Sequence, residues 1–484
     1  MTTLIKNIQL IDGTGKAPYK ADILIKKKKI SAIGFFPRYG ARLTIDGRGA
    51  YLSPGFIDIH SSIDRYLELF PKASDAAHPL HALLLQGVTT AIGGQDGISL
   101  APLMYGSLDT LQNWIDVRKV NSNWHSMKEF LRVAGKMPLP LNFGTLIGYR
   151  TIRESLIGIA ERPFTLNETK IFKRILQTAL REGALGLSMG TDDLKADLGF
   201  SEIKGVFDLL RKYRAIYAKE FQETGEELAI ALRNLITALE ESGTRAIVNH
   251  IGEKTDRTAM LELMYSSSAR ADIIFDVYPQ NIRVMPGPEM FLHRNKTGGA
   301  LDLRKNAAEE FSLQFPKIKG DAVHIVSAPG HEYLEGKTLR DFSKNRRLNL
   351  PEGFENLLHI TKNRVIIAYH EPKKGDDAKE MLSYKKSVIA SADMHLKTPP
   401  KDTMMRFLHH AHTKSPLPIE LMVHKVTGLP AEKFAIPQRG LIRTGFIADL
   451  VLFKDGYIRD VFLNGIRVVA DGIWGNKAEG EVIT

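Results

Sequence analysis

Apolar and polar positions follow three different rhythms along this chain. The opening stretch alternates over short spans broken by glycine turns. "LIKNIQLID" is followed by "GTGK", then "ADILIKKKKISAIG", then "ARLTIDGRGAYLSPG". Alternation of this kind predicts β-strands, with the basic run Lys26 to Lys29 inside one of them. The closing stretch, "GFIADLVLFKDGYIRDVFLNGIRVVADG", reads the same way. Strand-rich pieces at both ends predict one small β-domain assembled from residues 1–53 and 425–484.

Between them, continuous apolar runs alternate with segments of helical period. The runs are "GFIDIH", "TTAIGG", "LNFGTLIGY", "ALGLSMG", "AIYAKEF", "AIVNHIG", "DIIFDVYP" and "SVIASAD". "TKIFKRILQTALREG" and "EELAIALRNLITALEESG" space their apolar residues near 3.6 and stop at glycine, as amphipathic helices do. Eight buried-type strands alternating with helices predict an α/β fold, a (β/α)8 TIM-like barrel over residues 54–424. The stretch from about 280 to 386, between the seventh and eighth runs, is too long for a simple crossover and predicts an inserted subdomain. Inside it, "AVHIVSAPG" and "RVIIAYH" are strand-like, and either could serve as a barrel strand instead.

Composition narrows the function classes. The 484 residues are 43% hydrophobic and 25% charged, ordinary for a globular enzyme. With no cysteine, disulfides and thiolate metal sites are excluded, so a metal must be held by His, Asp, Glu or Lys. The net charge of +11 is scattered and lacks the basic-aromatic interleaving of a nucleic-acid module, so no nucleic-acid partner is expected. No apolar run reaches the roughly 18 residues that span a bilayer, and the start has no signal-peptide pattern. The expectation is a cytoplasmic protein without a membrane partner; monomer and homo-oligomer both stay open.

In such a barrel the chemistry gathers where strands end. The first run ends in His60, the second leads into Asp96, the fifth carries Glu220, the sixth His250 and the eighth Asp393. These are metal-ligand and proton-transfer residue types drawn from five strands.

These same segments resemble the amidohydrolase superfamily, and within it the D-aminoacylase (N-acyl-D-amino-acid deacylase) branch. The likeness runs through "PGFIDIH", "QGVTTAIGGQDGIS", "LREGALGLSMG", "IYAKE", "NHIG", "VYPQ" and "IVSAPG" to "VTGLPAEKF" and "RGLIRTGFIADLVLF". It implies a metal-bearing barrel, a β-sandwich from both termini and an insertion before the eighth strand. The family's first strand ends in His-x-His, and here only His60 is kept, with Ser62 at the second place. Its second-strand cysteine falls on Asp96 and its fifth-strand histidine on Glu220. His250 matches the sixth-strand histidine, and Asp393 the catalytic aspartate. His395 and Asp64 lie close to these positions.

A hydroxyl is a poor zinc ligand, so Ser62 argues against a two-metal site. One metal on Asp96, Glu220 and His250 remains, with a fourth position for water and His60 as a weak ligand or hydrogen-bond donor. Zinc is the expected ion, and two carboxylates also suit manganese or iron. The expected reaction is metal-dependent hydrolysis of a non-peptide amide bond in a small molecule. The metal lowers the pKa of a bound water and polarises the carbonyl, while Asp393 acts as general base and then acid. The substrate-binding candidates are Tyr149, Arg150 and Arg406, since an arginine can clamp a carboxylate bidentately. The family's lysine after the sixth-strand histidine is Gly252 here, with Lys254 displaced by two. The alternative is an inactive member that has lost its metal and persists as a binding scaffold.

Overall fold

A computed structural model describes residues 2–61, 63–64, 79–104, 111, 124–158, 160, 162–190, 205–221, 225–250, 271–277, 282–288, 290, 307–309, 311–312, 318–370, 382–391, 403–404 and 417–484. The eight apolar runs are eight parallel strands. They are Phe56–Asp58, Val88–Gly93, Asn142–Thr145 continued by Ile147–Gly148, Gly186–Met189, Ile216–Glu220, Arg245–Asn249, Ile273–Val277 and Ser387–Ile389. Each pairs in parallel with the next in chain order. The third strand is interrupted at Leu146, so its first half pairs with the second strand and its last two residues with the fourth.

Alternation within these strands sorts their side chains into two apolar layers. One cluster takes Ile57, Ile92, Leu146, Ile216, Ile247, Ile274 and Val388, together with Leu185 just before the fourth strand. Residues of the opposite parity, such as Phe56, Phe143, Leu187, Tyr217 and Phe275, join a larger cluster with the helices. Strands buried on both faces read as continuous apolar runs, which is why they stand out in the sequence. The last residue of the first strand is tied to a residue just past the eighth. The Ser391 backbone N–H donates to Asp58 Oδ1 at 3.1 Å, and the Ser391 hydroxyl donates to Asp58 Oδ2.

The two chain ends build a nine-stranded sheet. Tyr51–Pro54 lies between Thr2–Leu10 and Leu450–Lys454, parallel to the former and antiparallel to the latter. It runs straight into the first parallel strand, so this sheet sets where the series begins. The basic run is a correction to the sequence reading. Lys26 and Lys29 end and begin two paired strands, and Lys27 turns the hairpin with φ of 55°. Four lysines on one strand would crowd their charges, and a turn lets them diverge into water.

A separate antiparallel sheet is formed by Ile282–Pro286, Ile366–His370 and Val323–Ser327. The strand-like runs "AVHIVSAPG" and "RVIIAYH" belong to it and not to the parallel series. Its own core includes Met285, Ile325, Ile367 and Phe354.

The final residues return to the parallel series. Phe143 N–H donates to Glu481 O at 2.9 Å, and Ile483 N–H donates to Phe143 O at 2.7 Å. The Ile483 side chain joins the apolar cluster that holds Ile57, Ile92, Leu146 and Leu185. Beside this segment lies a buried polar network. Asp449 Oδ2 accepts from Arg439 Nη1 (2.7 Å) and from Asn142 Nδ2 (2.9 Å), and Asp449 Oδ1 from Asn464 N–H (2.6 Å).

Candidate metal centre

His60 follows the first strand and is buried. Asp96 sits in the turn "GGQDG", where three residues take left-handed backbone angles: Gly94 (φ 70°), Asp96 (57°) and Gly97 (76°). At Gly94 a Cβ would lie 2.2 Å from the Leu146 carbonyl oxygen, so glycine is required. Aspartate tolerates the left-handed region better than most side chains. The turn is pinned to the fourth strand by Ser188, whose hydroxyl accepts from Gly97 N–H (3.1 Å) and donates to Gly94 O (2.5 Å). Glu220 ends the fifth strand, and His250 follows the sixth with φ of 53°.

These four residues form two contacting pairs. His60 Nε2 lies 3.1 Å from Asp96 Oδ1 and 3.3 Å from Oδ2. His250 Nδ1 lies 3.2 Å from Glu220 Oε1. The two imidazoles stack with centroids 4.5 Å apart and planes at 21°. A fifth residue joins them. Asp276, fully buried in the seventh strand, has Oδ2 at 2.7 Å from His60 Nδ1 and Oδ1 at 2.5 Å from the His250 backbone nitrogen.

The electrostatics follow from three carboxyl groups facing two rings. Burial works against a charge on His60, yet Asp96 and Asp276 outweigh it and hold the imidazole well above its ordinary range. Burial and the neighbouring His60 oppose charge on His250, but Glu220 and Asp276 raise it to about 9. Asp96 feels burial in the other direction, and His60 overcomes it to hold the carboxyl low. Burial pushes Asp58 up to about 6 against hydrogen bonds from Ser391 and His60. The cluster therefore draws protons onto its histidines to offset buried negative charge. A divalent cation held by these residues would offset the same negative charge in place of those protons.

The donor chemistry suits such an ion. Imidazole nitrogen and carboxylate oxygen are zinc ligands, and neighbouring ligand atoms of a tetrahedral site stand ~3.3 Å apart. The His60–Asp96 and His250–Glu220 separations match that edge. Among the described residues, however, no three His, Asp or Glu side chains are gathered around one point. The pairing also differs from the expected trio of Asp96, Glu220 and His250. His60, expected at the margin, is the residue touching Asp96.

Tyr149 and Arg150 open the helix Tyr149–Ile157. The Tyr149 ring is buried in the core, edge-on to Phe172 at 5.5 Å, and its hydroxyl accepts from Arg153 at 3.4 Å. Asp393, Arg406, Ser62, Gly252, Lys254 and His395 lie outside the described residues. Sequence reasoning passed over Asp276 and Asp58. The signal was present: each is a lone acid inside an apolar strand run, and burying a carboxylate is costly unless partners meet it.

No protein-family model matches the chain. It is 27% identical over 470 residues to the D-aminoacylase of Alcaligenes xylosoxydans xylosoxydans, covering 93% of this chain and 87% of that one. It is 25% identical over 473 residues to the N-acyl-D-aspartate deacylase of the same organism, covering 94% and 86%. Among solved structures, a D-aminoacylase described as defining a novel subset of amidohydrolases superposes with a TM-score of 0.80. The identity is 24%, over 100% of this chain and 99% of that one. The N-acyl-D-glutamate deacylase of Bordetella bronchiseptica, solved with zinc and a phosphonate inhibitor, gives 0.78 at 20% identity over 99% of each chain. In sequence over more than nine-tenths of its length the chain is similar to a D-aminoacylase, and in fold over all of it to a solved D-aminoacylase structure.

Proposed function

We propose that the chain is a metal-dependent hydrolase of non-peptide amide bonds, acting on a small N-acyl amino acid. The observation that carries this reading is the meeting of His60, Asp96, Glu220 and His250 at strand ends, as imidazole–carboxylate pairs 3.1–3.2 Å apart. His60, Asp96, Glu220 and His250 would hold one divalent ion, zinc in the first instance, with manganese or iron also suited to the donors. Such an ion, when bound, lowers the pKa of water and polarises a carbonyl. Asp393 takes the attacking water's proton and returns it to the leaving nitrogen. Arg150 and Arg406 are the candidates for clamping a substrate carboxylate, and Tyr149 anchors the helix that carries Arg150.

The same reading closes the eight strands into a barrel over residues 54–424, with residues 1–53 and 425–484 forming a β-sandwich and about 280–386 an insertion. It is supported by the one apolar cluster along the parallel series and by the Ser391–Asp58 tie. We place the enzyme in the cytoplasm.

Elemental analysis of the tag-free protein beside an Asp96→Ala, His250→Ala double variant tests the proposal, together with hydrolysis of N-acyl D- and L-amino acids. About one ion per chain, lost with activity in the variant, is expected of an open mononuclear site. Failure to retain zinc, manganese or iron after reconstitution would overturn it.

A further inference from the structure

The geometry points to Asp276 as a positioning residue that orients both histidines of the candidate centre at once. Its two carboxylate oxygens are divided between them: Oδ2 meets the His60 ring at 2.7 Å, and Oδ1 the His250 backbone at 2.5 Å. The residue is fully buried in the strand Ile273–Val277, so its side chain has no freedom to do one task without the other. Three strand ends, the first, sixth and seventh, are thereby joined through one group.

Each contact has a distinct consequence. An ionised carboxylate only accepts hydrogen bonds, so the His60 nitrogen facing it, Nδ1, carries a proton. Nε2 is then the nitrogen directed at Asp96, and the one that could act as a ligand once its own proton is displaced, the arrangement that outer carboxylates impose on ligating histidines. At His250 the contact is to the main chain. Its φ of 53° is uncommon for a histidine, and a sparsely populated conformation persists only when its surroundings hold it. The hydrogen bond that the His250 backbone N–H donates to Asp276 holds that turn, with the His250 ring stacked against His60 at 4.5 Å. Asp276 thus controls which nitrogen of one ring, and which direction of the other, is offered to the centre.

The consequence for metal binding rests on the hydrolase reading; the proton location on His60 does not. Asp276→Asn separates the two. The amide is nearly isosteric, and its oxygen can still accept from the His250 N–H. Its NH₂ then faces His60 and donates, so Nδ1 becomes the acceptor and the proton moves to Nε2. We expect ring ¹⁵N NMR, assigned with a His60→Gln variant, to show a protonated Nδ1 in the wild-type protein and a proton confined to Nε2 in Asp276→Asn. Zinc affinity, measured by chelator competition, should fall about 10- to 100-fold in that variant. An unprotonated Nδ1 in the wild type would overturn the inference, and that measurement needs no folded variant. An unchanged His60 ring state in Asp276→Asn would overturn it equally. If the wild type binds no zinc, the hydrolase reading fails, while the NMR result still decides the role of Asp276.

Discussion

Replacing Asp449 with alanine should be among the most damaging single changes to stability outside the candidate centre. Asp449 and Arg439 are both buried, 5% and 8% exposed, and their charges meet at 2.7 Å. Truncating one partner of a buried ion pair typically costs 3–5 kcal/mol, because the other charge is left without compensation. Here the stranded guanidinium keeps two contacts, Asn464 Oδ1 at 3.0 Å and Glu481 Oε2 at 3.3 Å, which pulls the estimate toward ~3 kcal/mol. Against that, the Asn464 N–H and the Asn142 amide both lose their acceptor, each worth about 1 kcal/mol. The two effects oppose each other and leave the expected loss at about 3–5 kcal/mol. The assay is the denaturant midpoint at fixed slope, run on Asp449→Ala, Arg439→Met and the double variant. Removing both charges should cost less than removing Asp449 alone, since no buried charge is then orphaned. A loss below ~1 kcal/mol for Asp449→Ala, or a double variant whose loss is the sum of the singles, would refute the reasoning.

Two further outcomes follow from the same geometry. Burial pushes the Lys425 ammonium from 10.5 down to about 7, although three oxygens of Tyr384 and Ser387 surround it. Between those values the unfolded chain binds more protons than the folded one, so wild-type stability should rise with pH relative to Lys425→Met. The slope approaches ~1.4 kcal/mol per pH unit, and pH-resolved urea melts showing a flat difference from pH 7 to 10 would contradict it. Gly94→Ala should cost more than about 2 kcal/mol, from its left-handed φ and the clash with Leu146 O, and should lower metal retention by displacing Asp96. Thermal midpoints together with metal content check this, and a variant with both unchanged would remove the strain argument.

All eight parallel strands were legible in the sequence, because a strand buried on both faces has to be apolar throughout. The positions of His60, Asp96, Glu220 and His250 at strand ends were legible for the same reason. Their pairing was not. Asp96 and His250 both leave their strands through left-handed backbone angles, which redirect the side chain in a way that no strand periodicity records. Asp276 and Asp58 were hidden for a different reason. The side-chain partners of Asp276 and Asp58, His60 and Ser391, come from other strands of the series, so neither acid has a local signature beyond being out of place. The lysine run misled because a hairpin turn and a strand edge share the same polar composition. The network around Asp449 joins Asn142 to residues more than three hundred positions later, a separation at which composition says nothing about contact.

The return of Ile483 to the shared apolar cluster bears on how the chain acquires its structure. Ile57 and Ile483 belong to one cluster, yet nearly the whole chain lies between them. Closing so large a loop is entropically expensive only logarithmically, but it makes the contact late and slow to find. Until it forms, the gap beside Phe143 leaves unpaired backbone and bare apolar surface facing water. A partly folded species with most strands built and this side still open would present that surface to other chains. That species, more than the finished protein, is where aggregation of this chain would begin.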